Sequence, residues 1–422
     1  MKKRLRAAAL GLLLCLVLTS CKGSGNGTEQ PKGASKNARV FFDPFMGNAT
    51  MSESFAFIPN LNNTGAQYFD AASRTAVLFC FEPNCEHIGP KYDFATGENI
   101  GDTCASKCLG SHAYYLTEDA GYYFEWPNLV KTDRQGLNQK TIATVEEPID
   151  FVEYEWYTNE YYAATVMINY AHTKVVAADG TVTWLQGEPL EKRISGVIMV
   201  SLKDGSSRFI YRDEDRYDSI VTDLYEYQNH LYFVGAYLDA PYESLRKYNA
   251  DMSDWGEVDL ENQKHLHLEL YDYDIARGKL TMIRKSDGEG YGYRFGDGYL
   301  LQYANPLTGE GSMLYRLNGE VLCELPWKVT DRVITDGTPI LTSWDSGAAT
   351  YRMYDTDKKE VLREISISGG RFGLSVAVGD SYYGHMYTSW SNGNLEPAYI
   401  SAEDFWNGEF DKAIVLSRPP EE

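Results

Sequence analysis

DGTPILTSWDSG at 336–347 and GDSYYGHMYTSWSNG at 379–393 are the stretches whose reading decides the fold. Each opens on a Gly/Asp turn, enters an apolar strand near Ile340 or Tyr382, and closes on Thr-Ser-Trp-x-x-Gly. Glycine and aspartate suit tight turns, while β-branched and aromatic residues suit a half-buried pleated surface. The same unit recurs on either side. Aromatic strands follow Ser111-His112, Asn159-Glu160, Asn229-His230 and Asp297-Gly298, starting near Tyr114, Tyr161, Tyr232 and Tyr299. The first five of the six strands are followed by a hairpin strand that runs into a polar turn at Asp133, Asp204, Asp274, Asn318 or Asp355. A further copy lies at Tyr68-Phe69-Asp70, with its return strand at Ala76 to Phe79.

The last three units repeat about every forty residues, the period of a four-stranded propeller blade. Longer gaps earlier in the chain call for insertions at His172 to Lys192 and Tyr242 to Lys264, both polar and turn-rich and expected as loops. Counting Ser54 to Ile58 with the first hairpin gives seven blades, with six and eight as the neighbouring counts. The expected class is therefore all-β, a β-propeller over residues 39–422 that removes edge strands by radial repetition. A pair of β-sandwiches is the rival architecture, and it predicts no forty-residue beat. The 32 tyrosines and 8 tryptophans also favour strands over helices.

Ahead of this domain, Lys2, Lys3, Arg4 and Arg6 precede an unbroken apolar run from Ala7 to Leu18. That is the layout of a secretion signal, and the run is shorter than the ~20 residues that span a bilayer. Leu18-Thr19-Ser20-Cys21 resembles the lipobox of bacterial lipoproteins. The resemblance implies cleavage after residue 20, acylation of Cys21, and anchoring at the extracytoplasmic face of the cell membrane by enough hydrocarbon for a stable hold. Residues 21–38, including GSGNGTEQPKGASKN at 23–37, contain no bulky apolar group and read as a flexible tether.

The whole chain carries a formal charge of −21, and the signal holds four of its basic residues and none of its acidic ones. The mature protein is thus more acidic still. Such a charge repels phosphate backbones and anionic headgroups, which argues against nucleic acid as a partner and against electrostatic membrane docking.

Cys80, Cys85, His87, Cys104 and Cys108 fall between the first and second units. Two chemistries fit them. Oxidising surroundings outside the cell favour disulfides among Cys80, Cys85, Cys104 and Cys108. Cys80, Cys85, His87 and Cys104 would instead make a tetrahedral structural zinc site. Either role is structural. The run Cys80-Phe81-Glu82-Pro83-Asn84-Cys85-Glu86-His87, placed after a Tyr-containing hairpin and downstream of a lipobox, resembles a motif of β-propeller lipoproteins from anaerobic Gram-positive bacteria. That family has no assigned activity. The long stretch between His87 and Cys104, and the extra Cys108, leave open which later cysteine takes the family's role.

Motifs for serine hydrolases, zinc proteases, phosphate loops and EF-hands are absent from the sequence. His265-Leu266-His267 puts two imidazoles on one strand face, where exposed polar side chains are the ordinary occupants. The aromatics are the better lead. In an up-and-down meander, the turn between second and third strands opens on the face where the chain crosses from blade to blade. Trp344 and Trp390, with Tyr303 and Tyr237 from equivalent turns, are expected there as ligand-binding residues for a glycan or peptide. A binding or scaffolding module is the leading expectation, and a propeller-type glycan hydrolase or lyase the alternative. Two acids converging on one pocket would favour the enzyme, and an aromatic groove without them would favour binding.

Overall fold

The computed structural model describes residues 39–43, 47–53, 55–58, 66–80, 85, 104, 114–117, 119–176, 182–247, 249, 252–287, 292–303, 311–345, 347–369, 371–389 and 394–416. Cys21, His87, Trp390 and Cys108 lie outside them. The described chain is built almost wholly of antiparallel strands in a β-propeller-like arrangement. No helix among the described residues is long and apolar enough to cross a membrane.

Sheet 1 has five strands, Arg39–Asp43, Gly47–Met51, Phe55–Ile58, Gln67–Asp70 and Thr75–Leu78. Four four-stranded meanders follow. Sheet 2 runs from Tyr114–Leu116 to Lys140–Thr144, sheet 3 from Phe151–Tyr157 to Ser207–Asp213, sheet 4 from Tyr217–Tyr227 to Lys279–Asp287, and sheet 5 from Tyr293–Gly296 to Val321–Glu324. Sheet 6 has eight strands. It joins the meander Asp331–Thr335 to Glu360–Ser368 with the meander Gly373–Val378 to Ile414–Val415, through parallel pairing of Ile334 with Val376 and Thr335 with Ala377. The expected seven separate blades are therefore not what the hydrogen-bonded sheets give: five are of blade size, and the last repeat units are continuous with each other.

Five of the six aromatic strands expected from the sequence are second strands of their meanders, but Tyr114 opens the first strand of sheet 2. Its short partner Gly121–Glu125, with Tyr122, Tyr123 and Phe124, is the true second strand. The expected loop at His172 to Lys192 is instead strand. Tyr161–Val176 pairs with Val182–Ser201 out to Val176 opposite Val182, an arm that outruns the flanking strands of sheet 3. Its β-branched residues Thr173, Val175, Val176, Val182 and Thr183 explain why strand wins over turn. The other insertion does leave the sheet and carries helix α1, Trp255–Asn262.

Successive sheets cover each other's apolar faces. Phe69 of sheet 1 packs against Tyr399 of sheet 6, with ring centroids 4.8 Å apart. Tyr383 donates to the Ser52 carbonyl at 3.0 Å, and Ser381 Oγ to the Glu53 carbonyl at 2.6 Å, so polar bonds join the first sheet to the last. Asp223 ties three first strands together. Buried in sheet 4 at φ 55°, it accepts the Phe295 N–H of sheet 5 and, at 2.9 Å, Arg332 Nη2 of sheet 6. Inside these strands lies Arg39–Asp43, paired with Gly47–Met51 and close to Tyr114–Leu116 and Phe151–Tyr157. Because Arg39 pairs with Met51, the chain enters sheet 1 on the face of the first-to-second-strand turns, opposite the crossing face.

Candidate functional site

The crossing face between sheets 2 and 3 holds a hollow of about 220 Å³ lined by Phe124, Trp126, Ile149, Asp150, Phe151, Val152 and Glu155. Three aromatic rings and two carboxyl groups meet there, and among the described residues no Lys, Arg or His lines it. Trp126 sits on the turn between the second and third strands of sheet 2, the position that the sequence reading assigned to binding aromatics. Its ring centroid is 5.8 Å from that of Phe124, which stacks on Tyr162 at 4.7 Å, so the wall is backed by core. Phe151, at the head of its strand, is 50% exposed and forms an apolar rim.

A β-bulge sets the polar part. The register of Phe151–Tyr157 against its neighbour shifts between Val152 and Glu155, and the Tyr154 N–H released from the ladder donates to Thr165 Oγ1 at 3.0 Å. Residues three apart on a regular strand face opposite ways, but the bulge lets Val152 and Glu155 line the same hollow. Tyr162 donates to Glu155 Oε1 at 2.9 Å. Burial pushes the Glu155 carboxyl up to about 7, and this tyrosine bond only partly opposes the rise. Asp150 is held differently. Its Oδ2 accepts the N–H groups of Asn169 at 2.6 Å and Tyr170 at 3.2 Å, and its Oδ1 lies 2.9 Å from His172 Nε2. The acid thereby fixes the base of the sheet 3 arm to the edge of the hollow.

The arm presents its other residues beside this edge. Lys174 Nζ lies 3.0 Å from Glu146 and 5.8 Å from the Trp184 ring centroid. Val175, Val176 and Leu185 are exposed. A larger hollow of about 880 Å³ opens on the opposite face of sheet 3, where Glu160, Lys203 and Arg208 mix both signs of charge.

The residues singled out in the sequence are dispersed. Trp344 is 58% exposed on its turn. Tyr303 is half-buried and donates to Asp331 at 2.9 Å, with Arg294 at 5.7 Å from its ring. Tyr237 is buried, bonded to Glu269 at 3.3 Å, with Arg216 at 3.9 Å from its ring and His267 stacked at 5.1 Å. It belongs to a polar knot in which Arg216 also bonds Asp213 at 2.8 Å and Glu269 at 2.6 Å. His265 and His267 both bond Asp239, at 2.7 and 3.1 Å.

Cys80, Cys85 and Cys104 are brought together, with their sulfur atoms within 4.8 Å of one another. Cys104 is buried and the other two are half-buried. Tetrahedral zinc with Zn–S near 2.3 Å separates its sulfurs by roughly 3.8 Å, so the three residues fit such an ion after a small contraction.

No protein-family model matches the chain, and no curated protein is similar to it. Solved structures similar to it include an oligogalacturonate lyase in complex with manganese, at 11% identity and TM-score 0.42, covering 88% of this chain and 97% of that one. Puromycin hydrolase matches at 10% identity and TM-score 0.49, covering 89% of this chain and 54% of its own. The acylaminoacyl peptidase of Pyrococcus horikoshii matches at 12% and 0.46, covering 90% and 54%. The likeness is one of fold.

The residues of the hollow that sequence reasoning missed are Phe124, Trp126, Asp150, Phe151 and Glu155. Taking Tyr114 as a second-strand residue displaced the whole unit by one strand, so Trp126 was not recognised as a turn aromatic. A bulge has no local signature in Phe151-Val152-Glu153-Tyr154-Glu155, and the convergence of Glu155 on Val152 was not legible.

Proposed function

We propose that this protein is a lipid-anchored extracytoplasmic binding module whose crossing face holds a glycan, with Trp126 as the stacking platform. The observation that carries the reading is the hollow itself: flat aromatic walls beside polar groups suit a sugar ring, which offers an apolar face and hydroxyls at its edge. At about 220 Å³ it is smaller than the ~300–1,000 Å³ of sites that enclose drug-sized molecules, so it would take one small unit of a longer chain. Exposed Trp344 would add a second contact on the same face. Anchoring through Cys21 and kinship with the propeller lipoproteins named above complete the reading. Titration of the full-length protein with a panel of soluble oligosaccharides, beside its Trp126→Ala variant, tests it. Binding lost in the variant supports the reading, and no binding to any glycan overturns it.

A second reading has its own observation. Glu155, whose carboxyl burial raises to about 7, keeps enough of its proton near neutral pH to act as general acid in a glycan hydrolase. Both oxygens of Asp150 already carry partners, so it is poorly placed to serve as the base, which is why binding ranks first. Reducing-end assays on the same oligosaccharides, with Glu155→Gln as control, separate the two readings.

We further propose that Cys80, Cys85 and Cys104 hold a structural zinc ion, with His87 as fourth ligand. A disulfide joins sulfurs in pairs, whereas three sulfurs gathered at one point suit a metal. About one zinc per chain in protein purified without chelator is the expected result.

A further inference from the structure

We infer that the larger hollow, on the opposite face of sheet 3, binds a short peptide with both of its termini free. This site is separate from the crossing-face hollow, and neither reading depends on the other. Its volume of about 880 Å³ falls within the ~300–1,000 Å³ of sites that enclose small molecules. Strand pairing builds the floor. Tyr161 pairs with Ser201 and Met199 pairs with Arg208, so these four residues share one face of the sheet. Tyr122 and Leu202 add apolar wall. Glu160 and Lys203 enter from two hairpin turns, which the Leu202 N–H ties together by donating to the Glu160 carbonyl at 2.9 Å.

The charges decide the class of ligand. Glu160, Lys203 and Arg208 all line the hollow, and among the described residues none of these three side chains has an ion-pair partner. Asp204, the acid on the Lys203 turn, instead accepts the Ser206 N–H at 3.1 Å and the Ser206 hydroxyl at 2.8 Å. Arg208 lies 5.9 Å from the Tyr273 ring centroid, a contact that leaves the edge of its planar fork for a carboxylate. A ligand that answers both signs carries an ammonium and a carboxylate. Such a zwitterion has no net charge, so the strongly acidic chain does not repel it as it would an anion. Spacing sets the length. Arg208 lies two strands across the sheet from Tyr161, roughly 10 Å at ~4.8 Å per strand. Three extended residues also span roughly 10 Å. The peptide groups between the termini would meet the Ser201 and Ser207 hydroxyls and the amide of Asn159, whose Oδ1 accepts the Tyr115 hydroxyl at 2.9 Å and whose NH2 remains a donor.

The test is calorimetric titration of the full-length protein with alanyl-leucyl-alanine, its N-acetylated form and its C-amidated form. Each cap is expected to weaken binding about tenfold, the worth of one charge-assisted contact. Glu160→Gln should weaken the free and C-amidated peptides several-fold and leave the N-acetylated one unchanged. Arg208→Gln should weaken the free and N-acetylated peptides and leave the C-amidated one unchanged. Both residues are exposed, so the fold should persist, and melting curves that match wild type verify this. Capped peptides that bind as tightly as the free one overturn the zwitterion. Binding that is indifferent to both substitutions overturns the location, and no binding of the free peptide at millimolar concentration overturns the inference as a whole.

Discussion

Replacing Glu155 by glutamine should make the protein more stable, by an amount that grows with pH. The carboxyl titrates near 7 in the folded chain against an ordinary value of 4.5. Between those values the native state holds a proton that the unfolded chain has released, so folding is progressively penalised as pH rises from 4.5 to 7. The full penalty applies above the folded value. At 1.36 kcal/mol per unit, the displacement corresponds to about 3 kcal/mol at pH 8. Glutamine keeps an oxygen to accept the Tyr162 hydroxyl and never ionises, so the variant escapes this cost. At pH 4, where both side chains are neutral, wild type and variant should agree within about 0.5 kcal/mol. Thermal melts from pH 4 to 8 read the difference directly. For a domain of this size, about 3 kcal/mol corresponds to roughly 3–5 °C, with the curves separating chiefly between pH 5 and 7. A difference that stays constant with pH, or a wild type that gains on the variant as pH rises, would refute the assignment of a buried acid to this hollow.

Other outcomes follow from the same geometry. Asp223→Ala strands the buried Arg332 guanidinium and the Phe295 N–H, and should cost about 3–5 kcal/mol in chemical denaturation, much of it recovered when Arg332→Met is added. Tyr383→Phe deletes a bond between the last sheet and the Ser52 carbonyl and should lower stability by about 1–3 kcal/mol, with the sheets otherwise unchanged by circular dichroism. Cys104→Ser should cut zinc content well below one ion per chain, whereas a disulfide at this position would instead expose one new thiol to titration.

Much of the architecture was legible because it follows from local rules. Turn residues before Tyr161, Tyr232, Tyr299, Ile340 and Tyr382 marked second strands that the structure contains. The sheet boundary between the last units was not legible: Ile334 and Thr335 pair in parallel with Val376 and Ala377, 42 residues further on, and nothing in either strand announces that partner. The sheet 3 arm was misread because Gly187 and Pro189 resemble loop punctuation, although they sit within a strand whose paired residues favour extension. The hollow itself depended on a bulge and on the join between two sheets, which are tertiary features. Trp126 alone had a usable signal, its place after a Tyr-Tyr-Phe strand, once that strand is counted as the second.

The most direct measurement is a glycan array probed with full-length wild type and Trp126→Ala side by side. The account predicts a set of glycans retained by wild type and reduced on the order of tenfold or more in the variant, since a central stacking aromatic carries a large share of binding energy. Glycans retained equally by both proteins would contradict it.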